Sequence, residues 1–115
     1  MKYKLTDNCK IHLGIKLFQI EALIDFGIVK KGEKGGYIEK EANLSKENDA
    51  WVYGNAWVYG DALVSGDARV SGDALVSGNA RVSGHALVYG NALVYGDARV
   101  YGDARVYGDA WVLLS

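Results

Sequence analysis

The sequence of 115 residues contains no proline, one cysteine and one threonine, and it lacks an excess of charge of either sign. The lone Cys9 excludes an intramolecular disulfide and fits a reducing compartment, so we expect a cytoplasmic protein. The formal net charge of −1 argues against a general nucleic-acid-binding surface, which needs a basic excess. No run approaches the roughly 18 apolar residues of a membrane span, and the residues after Met1 lack the apolar stretch of a signal peptide.

The sequence does contain a repeat of six residues, and half of its residues are apolar, which is enough for a core in one domain. From Ala50 to Asp109 the chain reads Ala-x-Val-(Tyr/Ser)-Gly-(Asp/Asn/His) without interruption. The frame extends back to Ile38 and Leu44, with two extra residues in 45–49 that we interpret as a loop at one corner.

A period of six suits a short strand followed by a tight corner. Strand alternation places Ala and Val on one side and the variable residue and Tyr or Ser on the other, so the small Ala/Val set is expected to face the interior. Gly followed by Asp, Asn or His supplies residue types that tolerate left-handed backbone angles at the corner. Three such sides close a triangular coil of 18 residues.

An aliphatic residue followed four positions later by a small one, as in Val52 and Ala56, resembles the left-handed parallel β-helix of the hexapeptide-repeat superfamily. The resemblance covers about residues 38–115 and implies an all-β, left-handed parallel β-helix solenoid of about four triangular coils. The left-handed sense comes from the family, because the general crossover rule favours right-handed connections. The regular repeat is also similar to small hexapeptide proteins of phages and prophages.

Residues 1–37 lack the repeat and are predicted to form a small N-terminal β-rich cap, with 38–115 as the solenoid. We expect strands at Lys10–Leu13 and Ile15–Leu23, although Gln19–Phe26 fits either a strand or a short helix, and a turn at Gly32–Gly36. The apolar side chains expected to cover the first coil are Phe18, Ile20, Leu23 and Phe26.

One outward face of the predicted solenoid carries no charge. Residues 18 apart stack in columns, and the uncharged columns contain Trp57, Leu75, Leu93, Trp111, Tyr59, Tyr95 and Leu113. So continuous an apolar stripe is expected to pack against another subunit, or against the chain's own N-terminal segment. By resemblance we favour a homotrimer, and an isologous dimer stays open.

Another face stacks two arginines on adjacent coils, which is unfavourable unless an anion lies between them. Consecutive serines at 65, 71, 77 and 83 form a belt of small residues beside these arginines. Arginine forks and aromatic faces bind phosphates and stack on bases, so we predict a site for an anionic, nucleotide-like ligand. Its predicted residues are Arg69, Arg81, Arg99, Ser65, Ser83, Tyr101 and Tyr89. The alternative is that the arginines pair with corner carboxylates such as Asp61 and Asp97.

His85 is the one histidine of the repeat, and it stands in a corner column between Asp67 and Asp103. A neutral residue at this position separates the two carboxylates, and this is a structural explanation for the presence of His85. Hexapeptide acyltransferases use a histidine base, but this chain has no long projecting loop and no helical acyl-donor domain. A zinc site of the carbonic-anhydrase type needs three histidines, whereas the repeat has one. An ice-binding face needs regular arrays of threonine, and Thr6 is the only threonine of the sequence.

These observations predict no catalytic residue, metal or cofactor. We expect a non-enzymatic, phage-type homo-oligomer that sequesters a host defence signal, an anionic nucleotide-like molecule, in grooves between subunits. One alternative is a structural module of a virion or larger assembly, and another is an acyltransferase that uses His85.

Overall fold

A computed structural model describes residues 1–114, which fold as stacked β-strands with one 3₁₀ turn, Glu41–Asn43. The strands in chain order are β1 (Tyr3–His12), β2 (Ile15–Ala22), β3 (Lys34–Ile38), β4 (Trp51–Val52), β5 (Trp57–Val58), β6 (Leu63–Val64), β7 (Arg69–Val70), β8 (Leu75–Val76), β9 (Arg81–Val82), β10 (Leu87–Val88), β11 (Leu93–Gly96), β12 (Arg99–Val100), β13 (Arg105–Val106) and β14 (Trp111–Leu114). No helix within residues 1–114 has the length and apolar character to cross a membrane.

The repeat forms a parallel β-solenoid, as the sequence predicts. Trp51 pairs with Arg69 and Leu75 pairs with Leu93, so one coil is 18 residues long and contributes one strand to each of three sheets. The first face contains β4, β7, β10 and β13, and the third face contains β6, β9 and β12. The second face contains β5, β8, β11 and β14, and its sheet continues through β3 and β2 to β1. About four coils are stacked in this way.

The core is a single column of small side chains inside the coils. The repeat alanines and valines from Ala50 to Val94 have no solvent exposure, and Ala98 and Val100 have almost none. Burying a valine fully contributes roughly 1.5–3 kcal/mol before chain entropy is subtracted. The core therefore depends on the inward Ala/Val alternation that the period of six predicts.

The N-terminal segment extends the second-face sheet as an antiparallel hairpin. β1 and β2 meet at the turn Leu13–Gly14, β2 pairs antiparallel with β3, and β3 pairs parallel with β5. The first strand begins at Tyr3 rather than at Lys10, so the predicted strand was too short. Within the stretch Gln19–Phe26, residues 19–22 are strand, whereas residues 23–26 form bends and one isolated bridge. The strand alternative is thus confirmed for the first half only, and the helix alternative was wrong throughout.

The prediction of a turn over Gly32–Gly36 was wrong for its second half. Gly32 does turn with φ of 89°, but Gly35 and Gly36 are buried in β3. A Cβ on Gly35 would lie 2.9 Å from the indole of Trp51, and one on Gly36 would lie 2.6 Å from a methyl carbon of Val52. Glycine is thus needed here because β3 lies so close to the first coil. The turn prediction failed because glycine is typical both of turns and of such close backbone contacts.

Trp51 lies outward on the first face, yet it has no solvent exposure. The rings of Tyr3 and Phe26 contact it edge-on, with centroids 6.1 and 5.2 Å away. Ile20 is also fully buried in the same cluster, whereas Phe18 and Leu23 are half-buried. The N-terminal segment therefore covers the first coil, and Ile20 and Phe26 are the residues of the predicted set that pack on it.

Lys2 joins this cluster as a buried cation. Its ammonium donates to the carbonyl oxygens of Ala50 at 2.7 Å and Ser45 at 3.1 Å, and it lies over the Phe26 ring. Burial lowers the pKa of Lys2 to about 8, although the carboxylates of Asp49 and Asp67 oppose the shift. Because this pKa lies below the ordinary value, burying the charge costs stability below about pH 8, and the cost disappears as the pH rises toward 10.

The corners differ from the sequence-based expectation in one respect. Each repeat glycine has a positive φ, for example 68° at Gly78, but the Asp, Asn and His residues that follow do not. A Cβ on Gly78 would lie 2.8 Å from the backbone nitrogen of Gly96, one coil further on. Gly at this corner therefore serves both the turn and the close stacking of the coils.

We predict that Gly78→Ala destabilises the protein more than Gly54→Ala. Both glycines have positive φ, so an alanine costs about 1–2 kcal/mol at either position. A Cβ at Gly54 meets its nearest atom at 3.6 Å, which is ordinary contact, whereas the clash at Gly78 adds about 1–3 kcal/mol. Urea unfolding followed by circular dichroism measures both losses. Equal losses would show that coil stacking does not require glycine.

Candidate ligand-binding site

The predicted arginine pair lies on the third face. Arg81 and Arg99 are paired in register on β9 and β12, so their backbones are one strand spacing apart, about 4.8 Å. Both side chains are exposed. Ser65, Ser83 and Tyr101 follow the three strands of the same face, and Tyr101 is largely exposed. Five of the seven predicted ligand residues therefore share one surface.

The arginines do not pair with corner carboxylates. Asp61 accepts a hydrogen bond from Lys40 at 3.0 Å, and Asp97 accepts one from Asn79 at 3.1 Å. Within the described part of the chain, no arginine has a carboxylate oxygen within 4.0 Å. The arginine–carboxylate pairs of the alternative are therefore not formed among the described residues. The guanidinium groups keep their capacity to bind an anion.

A cavity of about 460 Å³ adjoins this surface at Ser65, beside the loop that contains the two extra residues. Its lining includes Glu41 and Glu47, and Lys46 is already paired with Glu41. Two carboxylates disfavour an anion in that cavity. An anionic ligand on this face is therefore expected over the arginine pair and not over the loop.

Arg69 and Tyr89 lie apart from the other five residues, on the first face. Tyr89 stacks on Tyr107 with ring centroids 5.4 Å apart and an angle of 12° between the planes. A cavity of about 330 Å³ on this face is lined by Ile28, Tyr53, Arg69, Ser71, Leu87 and Tyr89. Three of these lining residues, Tyr53, Leu87 and Ile28, were not predicted from the sequence. Tyr53 shares the column of Tyr89, which the period reveals, but Ile28 comes from the segment that lacks the repeat.

The seven residues of the predicted interface lie on the second face in three environments. At its start, the His12 ring of the hairpin contacts Trp57 and Tyr59, with centroids 4.9 and 5.5 Å away. At its end, Trp111 and Leu113 are 70% and 54% exposed. Leu75, Leu93 and Tyr95 lie between them and are half-buried. The N-terminal segment therefore covers the beginning of the stripe and leaves the rest accessible.

His85 lies at the corner between the third and first faces, where its ring nitrogen is 3.6 Å from the carboxylate of Asp67. Similar contacts occur in the neighbouring corner columns, where Asn79 donates to Asp97 and Asn91 donates to Asp109. Each pair separates carboxylates that would otherwise stack. Among residues 1–114, no three His, Cys, Asp or Glu side chains lie close enough together to hold a metal ion.

Comparison with known proteins gives one family match. Residues 50–66, 56–72, 64–84, 80–96 and 98–113 match the YdcK β-solenoid repeat, and together they span more than half of the chain. No curated protein matches the chain. The resemblance to the hexapeptide superfamily and to phage proteins stays a prediction.

We predict that His85→Asp destabilises the protein and that His85→Asn does not. Aspartate would place four carboxylates in one column with Asp49, Asp67 and Asp103, at a cost of about 0.5–1 kcal/mol, whereas asparagine reproduces the pairs of the other columns. The measurement is urea unfolding at low and high salt, because salt should reduce the penalty. Equal stability of the two variants would contradict the ladder role of His85.

Proposed function

We propose that this chain, which belongs to the YdcK β-solenoid repeat family, is a non-enzymatic homo-oligomeric binding protein that holds an anionic, nucleotide-like molecule in grooves between subunits. One observation carries the proposal: Arg81 and Arg99 are stacked in register, and neither has a carboxylate partner within the described residues. A pair of cations without counter-charge on a rigid sheet is a preorganised anion site.

The two guanidinium groups repel each other in the absence of an anion. Two unit charges about 5 Å apart in water repel by roughly 1 kcal/mol, and the fixed register keeps their backbones at strand spacing. A phosphate can accept hydrogen bonds from both guanidinium groups, and such charge-assisted bonds are about twice as strong as neutral ones. Binding a phosphate therefore removes a repulsion and adds two strong contacts.

The surroundings of the pair favour a nucleotide over a simple phosphate. Ser65 and Ser83 are small, so they leave room above the sheet beside the arginines, and their hydroxyls can donate or accept hydrogen bonds. The exposed ring of Tyr101 offers a face on which a base can stack. A sheet surface alone leaves the other side of such a ligand in water, and a neighbouring subunit would supply the second wall.

The second-face stripe is the surface that we propose for this subunit contact. Leu75, Leu93, Trp111 and Leu113 are apolar, and Trp111 and Leu113 are more than half exposed. A trimer around parallel solenoid axes is favoured by the family resemblance. The same resemblance leads us to propose a phage-type protein that sequesters a host defence signal in the cytoplasm.

The apolar stripe also favours a second candidate function. A chain that docks through this face onto a larger assembly such as a virion needs the apolar stripe, but it needs no ligand at Arg81 and Arg99. The two functions therefore differ in whether the arginine pair has a saturable ligand.

We predict that native mass spectrometry of the purified protein detects an oligomer with stoichiometric extra mass, or one that gains mass from a panel of cyclic nucleotides. Arg81→Ala with Arg99→Ala should weaken this binding by at least about tenfold, because two charge-assisted contacts are lost. Arg105→Ala is the control, since Arg105 lies on the first face. An oligomer that carries no extra mass and binds none of these nucleotides would contradict the proposed ligand binding. It would favour a role as a module of a larger assembly.

We also predict that Leu75→Glu with Leu93→Glu produces monomers. Two carboxylates in the middle of the stripe would have to be desolvated at a subunit contact, which costs several kcal/mol. The control is Leu63→Glu with Leu87→Glu, because these leucines are equally half-buried but lie on the other two faces. Sedimentation velocity reports the mass. A wild-type monomer, or an oligomer that survives the second-face substitutions, contradicts the proposed interface.

A further inference from the structure

The first face carries a ladder of tyrosines with one member missing. The residues that follow its four strands are Tyr53, Ser71, Tyr89 and Tyr107. Tyr89 and Tyr107 stack face to face, so the ladder direction follows the solenoid axis and the other face of Tyr89 is turned toward Ser71. At Ser71 the ring is replaced by a hydroxyl, and a cavity of about 330 Å³ takes its place.

The dimensions of this gap match one aromatic ring. Tyr53 and Tyr89 follow strands that are two coils apart, which corresponds to about 9.6 Å at ordinary strand spacing. A planar group halfway between them would lie about 4.8 Å from each, within the range of offset-stacked rings. Leu87 and the N-terminal Ile28 complete the lining with apolar surface.

Arg69 adds a positive charge at the edge of the gap. It lies two residues before Ser71 on the same side of the strand, it is exposed, and no carboxylate of residues 1–114 lies within 4.0 Å of it. Burial raises the pKa of the Tyr53 hydroxyl, and the charge of Arg69 acts in the opposite direction. Arg69 itself lines the cavity, so its guanidinium group can contact an anionic group held there.

The second face contains the same ladder without the charge. There the column is Tyr59, Ser77 and Tyr95, and the cavity between them measures about 220 Å³. Leu75 occupies the position that corresponds to Arg69. The two gaps share a Tyr–Ser–Tyr column, but the first-face gap is larger and has Arg69 and Ile28 in its lining. The second-face gap therefore serves as a comparison without the cation.

We propose that the gap between Tyr53 and Tyr89 binds a planar aromatic anion. The ring of the ligand takes the place of the missing tyrosine, and its anionic group accepts hydrogen bonds from Arg69. This site lies on a different sheet from Arg81 and Arg99, so it does not depend on the function proposed above.

The test is an NMR titration of the ¹⁵N-labelled full chain with 2-naphthoate and with the neutral 2-naphthamide. We expect naphthoate to bind more tightly, by about tenfold, and to shift the amide signals of Ser71, Leu87 and Tyr89. Arg69→Leu makes the first-face gap like the second and should remove the preference for naphthoate. Here and in the variants below, binding at this gap is followed only through the amide signals of Ser71, Leu87 and Tyr89, because we propose that the third-face arginines also bind an anion. By this readout Arg81→Ala should leave both affinities unchanged.

Two matched variants fill the gaps with the ladder's own side chain. Ser71→Tyr should abolish naphthoate binding, whereas Ser77→Tyr should not, and both place tyrosine where other coils already carry it. Equal affinity for the two probes in the wild type, or naphthoate binding that survives Ser71→Tyr, overturns the proposal. If Ser71→Tyr does not fold, Arg69→Leu still tests the proposal. A preference for naphthoate over naphthamide that is unchanged in Arg69→Leu also overturns the proposal.

Discussion

The stacking of coils at a fixed register of 18 residues is the constraint on which the rest of this structure depends. Backbone hydrogen bonds link each coil to the next, as from Leu75 to Ala92 and from Arg81 to Ala98, both at 3.0 Å. Corner glycines between coils, such as Gly78, keep the backbones so close that a methyl group would clash. Every side chain therefore has the residues 18 positions before and after it as its neighbours, whatever their chemistry.

This forced proximity explains why charge is distributed differently at corners and on faces. At the corners, carboxylates alternate with amides or with His85, and the contacts of Asn79 and Asn91 with the following aspartates turn a repulsion into hydrogen bonds. On the third face, Arg81 and Arg99 have no such separation. Like charges also stack at one corner, where the carboxylates of Asp49 and Asp67 both act on the ammonium of Lys2. The arginine pair has no carboxylate within 4.0 Å among residues 1–114, and this is what supports our proposal of an anion site there.

The solenoid could be predicted from the sequence because its contacts repeat with the period, so Val and Ala positions report directly on the core. The N-terminal contacts could not. The burial of Trp51 under Tyr3 and Phe26 joins segments without a common period, and the glycines of β3 fit a turn equally well until the position of Trp51 is known. The outward columns that contain the candidate ligand residues were also predictable, because residues 18 apart stack. Grouping Arg69 with Arg81 was not justified, because side chains on different faces of a prism point apart.

A ladder of identical residues leaves little room for a ligand, so a repeat of this kind forms sites where a small residue interrupts a large one. Serine interrupts tyrosine on both the first and the second face, and the cavities on these two faces lie at those interruptions. The neighbouring outward position then decides the chemistry, because it is the nearest side chain that the repeat leaves variable. Arg69 makes one gap cationic and Leu75 leaves the other apolar. Sites on such a scaffold can therefore change by single substitutions while the coils, which depend on the inward residues and the glycines, stay the same.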